Sequence, residues 1–171
     1  MTPRREYSLW LMPSGDVYDE LAKLNSRLSR EYGSPSFEPH VTLIGELVGP
    51  KGDILHRTSE LAAIVRPYTI RLTRVGYSPE FSRCLFIKAE ETDDVMQANL
   101  RARQIFGLEQ ESIYIPHLSL MYGRFNPEKK EEIIRRIGRK FDLSFWVNSI
   151  HLFSTGWGPE NWYRVQEFVL E

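Results

Sequence analysis

The sequence predicts an α+β fold in which two antiparallel sheets face a central cleft and helices cover their outer sides. Three observations predict it. Short alternating apolar runs of strand length are separated by stripes with the helical period. The order strand, helix, Pro-His strand, helix, strand occurs twice. The spacing agrees between the copies: Trp10 stands 30 residues before His40, and Phe86 stands 31 before His117. The chain of 171 residues therefore reads as one bilobal domain, residues 1–171, with pseudo-repeats at roughly 5–80 and 81–155. A chain of this length can bury a sizeable core.

Each element has a local reason. Residues 7–12 alternate as a strand, and Pro13-Ser14-Gly15-Asp16 turns the chain into a helix. Val17, Leu21, Leu24 and Leu28 share one face of that helix, and Gly33 stops it. Residues 37–44 form the first Pro-His strand. Ile54, Leu61 and Val65 mark a second helix, and residues 68–75 a third strand. The second copy opens with a strand at 84–89. Thr92 caps a helix that turns Val95, Ala98, Ala102 and Ile105 inward. Residues 113–120 form the second Pro-His strand. Asn126-Pro127 supplies cap and first turn of a fourth helix, with Ile133, Ile134, Ile137 and Phe141 inward. Residues 143–154 are the matching final strand, and a strand at 162–170 closes the chain.

Composition narrows the function classes. A net charge of −1 excludes a protein that lives by long contacts to an RNA backbone, which needs a basic excess. A small anion in a local pocket is compatible with it. The single cysteine, Cys84, excludes an intramolecular disulfide and a cysteine zinc cluster, and suits a cytoplasmic protein. The apolar run 7–12 is too short for a secretory leader. The uncharged stretch 143–159 holds Asn148, His151 and two glycines, so no membrane span is expected. A monomer is expected.

Chemistry concentrates in the repeated motif. Side chains alternate across a strand, so His40 shares a face with Thr42, and His117 with Ser119. Val41, Leu43, Leu118 and Leu120 point the other way, towards the helices. Each motif thus offers an imidazole beside a hydroxyl, backed by an apolar anchor. A proline at the start of each suits a strand end or edge. Opening a cyclic phosphodiester needs a base to activate water and an acid to protonate the departing oxygen. Histidine serves either role near neutral pH, and the hydroxyls can donate to non-bridging oxygens. No cofactor is implied, and no His/Asp/Glu cluster has metal-ligand spacing. One histidine in a strand is ordinarily a surface or satisfied core residue; the repetition singles out these two. His56 in a charged helix reads as solvated, and His151 reads as structural although Ser149 lies on its face.

The two motifs, His40-Val41-Thr42-Leu43 and His117-Leu118-Ser119-Leu120, resemble the paired motifs of the two-histidine phosphoesterase superfamily. Three segments are similar to the cyclic phosphodiesterases associated with tRNA splicing: Tyr7-Ser8-Leu9-Trp10 with Pro13, Pro39-His40-Val41-Thr42, and 114–122 around His117. The resemblance implies a bilobal fold with a central cleft. It implies hydrolysis of ADP-ribose 1'',2''-cyclic phosphate, of nucleoside 2',3'-cyclic phosphates, or of both. It implies that His40 and His117 are catalytic, that Thr42 and Ser119 bind phosphate, and that Trp10 and Tyr122 line the substrate site. Trp10 could stack a base or be a core tryptophan. Tyr122, five residues past His117, reaches the cleft only where the strand ends or bulges near Gly123.

Arg83 and Lys88 are candidates for a second phosphate. The run Lys129-Lys130-Glu131-Glu132 with Arg135, Arg136, Arg139 and Lys140 reads as a solvated helix face whose glutamates blunt its field. The expected partner is a small cyclic-phosphate nucleotide. An RNA end acted on by a cyclic phosphodiesterase or ligase-like enzyme is the alternative. A non-catalytic module that binds nucleotides or RNA ends is the third reading.

Overall fold

The computed structural model describes residues 5–110 and 113–171. Its elements run β1 (Glu6–Leu11), α1 (Gly15–Tyr32), β2 (Val41–Val48), α2 (Lys51–Ile64), β3 (Tyr68–Tyr77), β4 (Leu85–Ala89), α3 (Asp93–Phe106), β5 (His117–Met121), α4 (Pro127–Ile137), β6 (Lys140–Val147), β7 (Ser149–Ser154) and β8 (Tyr163–Val169). The strands form one antiparallel sheet in the order β6-β3-β4-β5-β2-β1-β7-β8. The two expected sheets are its two halves, β6-β3-β4-β5 and β2-β1-β7-β8. Between them a single register pair, Val41 with Leu118, joins β2 to β5.

The helices start and stop where their side chains allow. Thr92 accepts from the Val95 amide and Asn126 from the Lys129 amide, so α3 and α4 each begin on a bonded cap. Gly33 and Gly107 end α1 and α3 in the left-handed conformation that glycine adopts without a Cβ penalty. Leu21 and Leu28 of α1, Leu61 of α2, Val95 and Ala102 of α3 and Ile133 of α4 are fully buried. They pack with Val41, Leu43, Leu118 and Leu120 into one continuous core that includes residues of both half-sheets.

Two expectations change. The run 143–154 is not one strand. It breaks at Asn148 into β6 and β7, which lie in different halves: β6 pairs with β3, whereas β7 pairs with β1 and β8. Likewise β3, the last strand of the first repeat, pairs with β4 and β6 in the other half. Each repeat therefore lends its last strand to its neighbour's sheet, β3 from the first and β7 from the second. Both Pro-His strands also start later than expected, at Val41 and His117, because the proline before each histidine has no amide hydrogen for the ladder.

Candidate active site

The seam between the halves is where the two motifs meet. With Val41 opposite Leu118 and the strands antiparallel, one further step of register sets His40 opposite Ser119 and Thr42 opposite His117. Cross-strand partners share a face, so the four polar side chains form a quartet on the face away from the helices. The histidines occupy one diagonal, which in a regular ladder spans on the order of 7–8 Å. That leaves room for one phosphorus between two imidazoles.

Both imidazoles are held in the same way. His40 Nδ1 lies 2.7 Å from the Glu38 carbonyl oxygen, and His117 Nδ1 lies 2.7 Å from the Ile115 carbonyl oxygen. A carbonyl only accepts, so Nδ1 carries the hydrogen in each ring and Nε2 keeps its lone pair in the neutral form. The accepting residue precedes a proline in both motifs, and proline holds the residue before it extended. This backbone contact has no signature beyond the proline itself.

The supports of the two rings also correspond. Trp10 of β1 pairs with Thr42, and Phe86 of β4 pairs with Ser119. The His40 ring lies flat on the Trp10 indole, 3.5 Å between centroids and 5° between planes. Phe86 meets His117 edge-on at 5.3 Å. Phe153 covers the other face of Trp10 at 3.8 Å, and the Trp10 Nε1 hydrogen goes to Ser8 Oγ. Trp10 thus has no open face for a base; it fixes the plane of His40.

Burial sets the protonation of both histidines. His40 is 5 % exposed. Desolvation pushes its pKa down to about 4, against the opposing hydrogen bond to Glu38, with the nearby His117 adding a small depression. His117 is half-buried, and desolvation again lowers its pKa. Arg83 lowers it further while the Ile115 carbonyl and Glu80 act the other way.

The remaining expected residues fall as follows. Ser119 Oγ donates to the Ser82 carbonyl at 2.9 Å, so it must rotate to reach a phosphate. Tyr122 lies just past the end of β5 and packs on Phe37 at 4.3 Å, inside the aromatic group around His40. Lys88 stands opposite His117 in the register and is exposed. Arg83 is committed to Glu80 at 2.8 Å. His151 pairs with Trp10 in the register and lies between Ser149 and Glu167, 8 % exposed. His56 is exposed and pairs with Glu60. The basic run 129–140 is mostly paired with groups of the same chain. Lys129, Arg136 and Arg139 pair with Glu132, Glu31 and Glu131. Lys130, expected in solvent, is buried with its Nζ on the Ser78 carbonyl. Among the described residues no group of three or more His, Cys, Asp or Glu side chains could hold a metal ion, and no helix is long and apolar enough to cross a membrane.

Sequence reasoning missed a matched pair of braces. Asn25 of α1 donates to the carbonyl of Leu120, three residues past His117. Asn99 of α3 donates to the carbonyl of Leu43, three residues past His40. Each helix is thereby tied to the strand carrying the other repeat's histidine. A signal existed: Asn25 and Asn99 hold the same slot in two apolar stripes, Leu21-Leu24-Asn25-Leu28 and Val95-Ala98-Asn99-Ala102. Tyr114 adds a third brace, its hydroxyl donating to the Thr42 carbonyl.

Residues 13–158 match the 2'-5' RNA ligase superfamily. The chain belongs to this superfamily, whose members are the two-histidine phosphoesterases. A cyclic phosphodiesterase of Arabidopsis thaliana is 28% identical over 153 residues, 87% of this chain and 84% of that protein. Among solved structures, the TT0787 protein of Thermus thermophilus superposes with a TM-score of 0.70 at 20% identity, covering 96% of this chain and 97% of its own. E. coli LigT complexed with 3'-AMP gives a TM-score of 0.69 at 12% identity, covering 98% of each chain. These two likenesses establish the fold.

Proposed function

We propose that this phosphoesterase hydrolyses cyclic phosphodiesters to phosphomonoesters without a metal, the substrates being nucleoside 2',3'-cyclic phosphates, ADP-ribose 1'',2''-cyclic phosphate, or both. The observation that carries the reading is the duplicated imidazole geometry. Each motif presents an Nε2 fixed by an Nδ1 hydrogen bond, beside a hydroxyl, on one face of the seam. One imidazole takes a proton from water as its oxygen bonds to phosphorus. The other gives a proton to the sugar oxygen as the ring P–O bond breaks. Thr42 and Ser119 donate to the non-bridging oxygens as charge develops there. The similarity to the Arabidopsis cyclic phosphodiesterase supports the same chemistry. LigT, the structural neighbour, is known in complex with 3'-AMP and with NADP+, which supports a nucleotide-sized ligand.

The test is turnover of 2',3'-cyclic AMP in the presence of EDTA, with phosphorus NMR of the product. A phosphomonoester forms, and His40→Ala or His117→Ala each loses roughly 10²-fold or more in kcat. Loss of activity on chelation, or a fully active single mutant, overturns the reading. An RNA-end enzyme would instead prefer an oligonucleotide bearing the same cyclic end, with steep salt dependence. The pairing of Lys129, Arg136 and Arg139 with glutamates of the chain argues against that preference. A binding module would hold cyclic phosphates tightly without turnover.

A further inference from the structure

A cavity of about 390 Å³ opens beside His40, between α1, the segment 36–39 and the turn Pro159–Trp162. Its size falls within the ~300–1,000 Å³ of small-molecule sites. The motif reading accounts for the phosphate and leaves this space unused. Its walls combine aromatic rings, Phe37 and Trp162 among them, with the carboxylates of Glu38 and Glu160, and among the described residues no Lys, Arg or His side chain lines it. Arg164 stands behind this wall, over Phe153 at 5.8 Å, so the groups that face the cavity itself are two carboxylates, which accept hydrogen bonds from hydroxyl and amino groups and disfavour a second phosphate.

Trp162 differs from Trp10 and Tyr122, the two rings expected to line the substrate site. Trp10 is covered on both faces. Tyr122 has Phe37 against it at 4.3 Å. Trp162 is met by Trp10, His40 and Tyr122 at 71°, 76° and 73°, and by Phe37 at 52°, so none of these rings lies flat on it. Its indole hydrogen is fixed on the Trp157 carbonyl at 2.7 Å, which sets the plane of the ring. The ring is half-buried and centred 6.3 Å from His40. Tyr18 donates to Glu38 at 2.8 Å, which holds that carboxylate in the wall.

We propose that this cavity is a nucleoside subsite, in which Trp162 stacks the base and the Glu38 and Glu160 carboxylates accept hydrogen bonds from sugar or base donors. It would orient a nucleotide with its neutral end over the β2-β1-β7-β8 half and its phosphate at the seam. Exposed Lys88 lies on the opposite side of the phosphate, beside His117, so any further anionic group is directed that way. A base-free phosphoester would use only the seam.

The inference rests on the proposed phosphodiester chemistry, but binding tests it separately from turnover. The probes are adenosine 2'-monophosphate and inorganic phosphate, titrated by calorimetry into the wild-type chain, Trp162→Ala and Trp162→Phe. Trp162→Ala weakens the nucleotide roughly 10-fold, within the range that removing a base-stacking ring produces, and leaves inorganic phosphate within about 2-fold. Trp162→Phe recovers most of the nucleotide affinity. Equal weakening of both probes, or no weakening of either, overturns the subsite. If the wild type binds the nucleotide with the expected Trp162 dependence yet turns over no cyclic phosphate, the proposed reaction fails and the subsite stands.

Discussion

At the scale of single residues, the site depends on two backbone carbonyls as much as on two imidazoles. Each fixes a ring so that Nε2 points away from the carbonyl that holds it. Burial then keeps both rings neutral in the free protein, His40 with a pKa of about 4 and His117 below its ordinary 6.5. An acid–base pair works in the free enzyme only where one ring holds a proton and the other does not. The pH profile of kcat/KM is therefore bell-shaped with its maximum between about 4 and 6.5, and an optimum above about 7 would contradict these environments. Stability follows from the same shift. The unfolded chain binds a proton at His40 near pH 6.5 and the folded chain only near 4, so protons favour unfolding in that window. Acidification from about pH 7 to about pH 4 costs roughly 3 kcal/mol through this residue. Urea unfolding of His40→Asn should show a flatter pH dependence than the wild type.

The motif residues were legible in the sequence because the motif is repeated and strand alternation fixes which neighbours share a face. Trp162 was not legible. It sits where a short irregular turn enters β8, and no periodicity says where such a ring goes. For Trp10 the sequence left a base-stacking and a core role open, and it does not reveal that His40 and Phe153 occupy both faces. That follows only from the register of β1 with β7.

At the scale of elements, helices were legible from their stripes and caps, and their partners were not. A stripe shows that a helix buries one face, without naming the strand beneath it. Asn25 and Asn99 name it, since each reaches a carbonyl beside the opposite motif. Their contributions differ. Asn25 donates to Leu120 and also accepts from the Phe37 amide and the Ser36 hydroxyl, so it sets both α1 and the segment leading to His40. Asn99 donates to Leu43. Leaving a buried backbone group unpaired costs about 1–3 kcal/mol. Asn99→Ala should lose about that much in urea unfolding, and Asn25→Ala, which orphans two backbone groups, distinctly more. The reverse order would show that the braces are not the main role of these residues. The break at Asn148 was illegible for a related reason: apolar alternation continues through it, and only the pairing partners show that 143–154 serves two half-sheets.

At the scale of the whole molecule, the two halves look separable and are not. A single register pair bridges the sheet at its centre, which by itself would permit two lobes that open independently. Three features oppose this. Each sequence repeat gives its last strand to the other half, β3 from the first and β7 from the second. The asparagine braces and Tyr114 cross from one motif to the other. One buried apolar cluster draws residues from both halves, while Trp10, Met12 and Phe153 form a separate smaller one. Neither half holds a complete sheet made from its own repeat, so losing one removes strands and helix cover from its neighbour. Unfolding should accordingly be a single two-state transition. In a Trp146→Phe variant, which removes the tryptophan that β6 contributes to the other half, Trp10, Trp157 and Trp162 report the β2-β1-β7-β8 half by fluorescence, whereas far-ultraviolet circular dichroism reports the helices and strands of both. The two urea transitions are expected to share one midpoint and one slope, and that slope should match the surface exposed by unfolding the entire chain. A fluorescence transition that precedes the dichroism would mean that the half bearing His40 and Trp162 opens by itself. The seam would then be a hinge rather than a fixed frame for the two histidines.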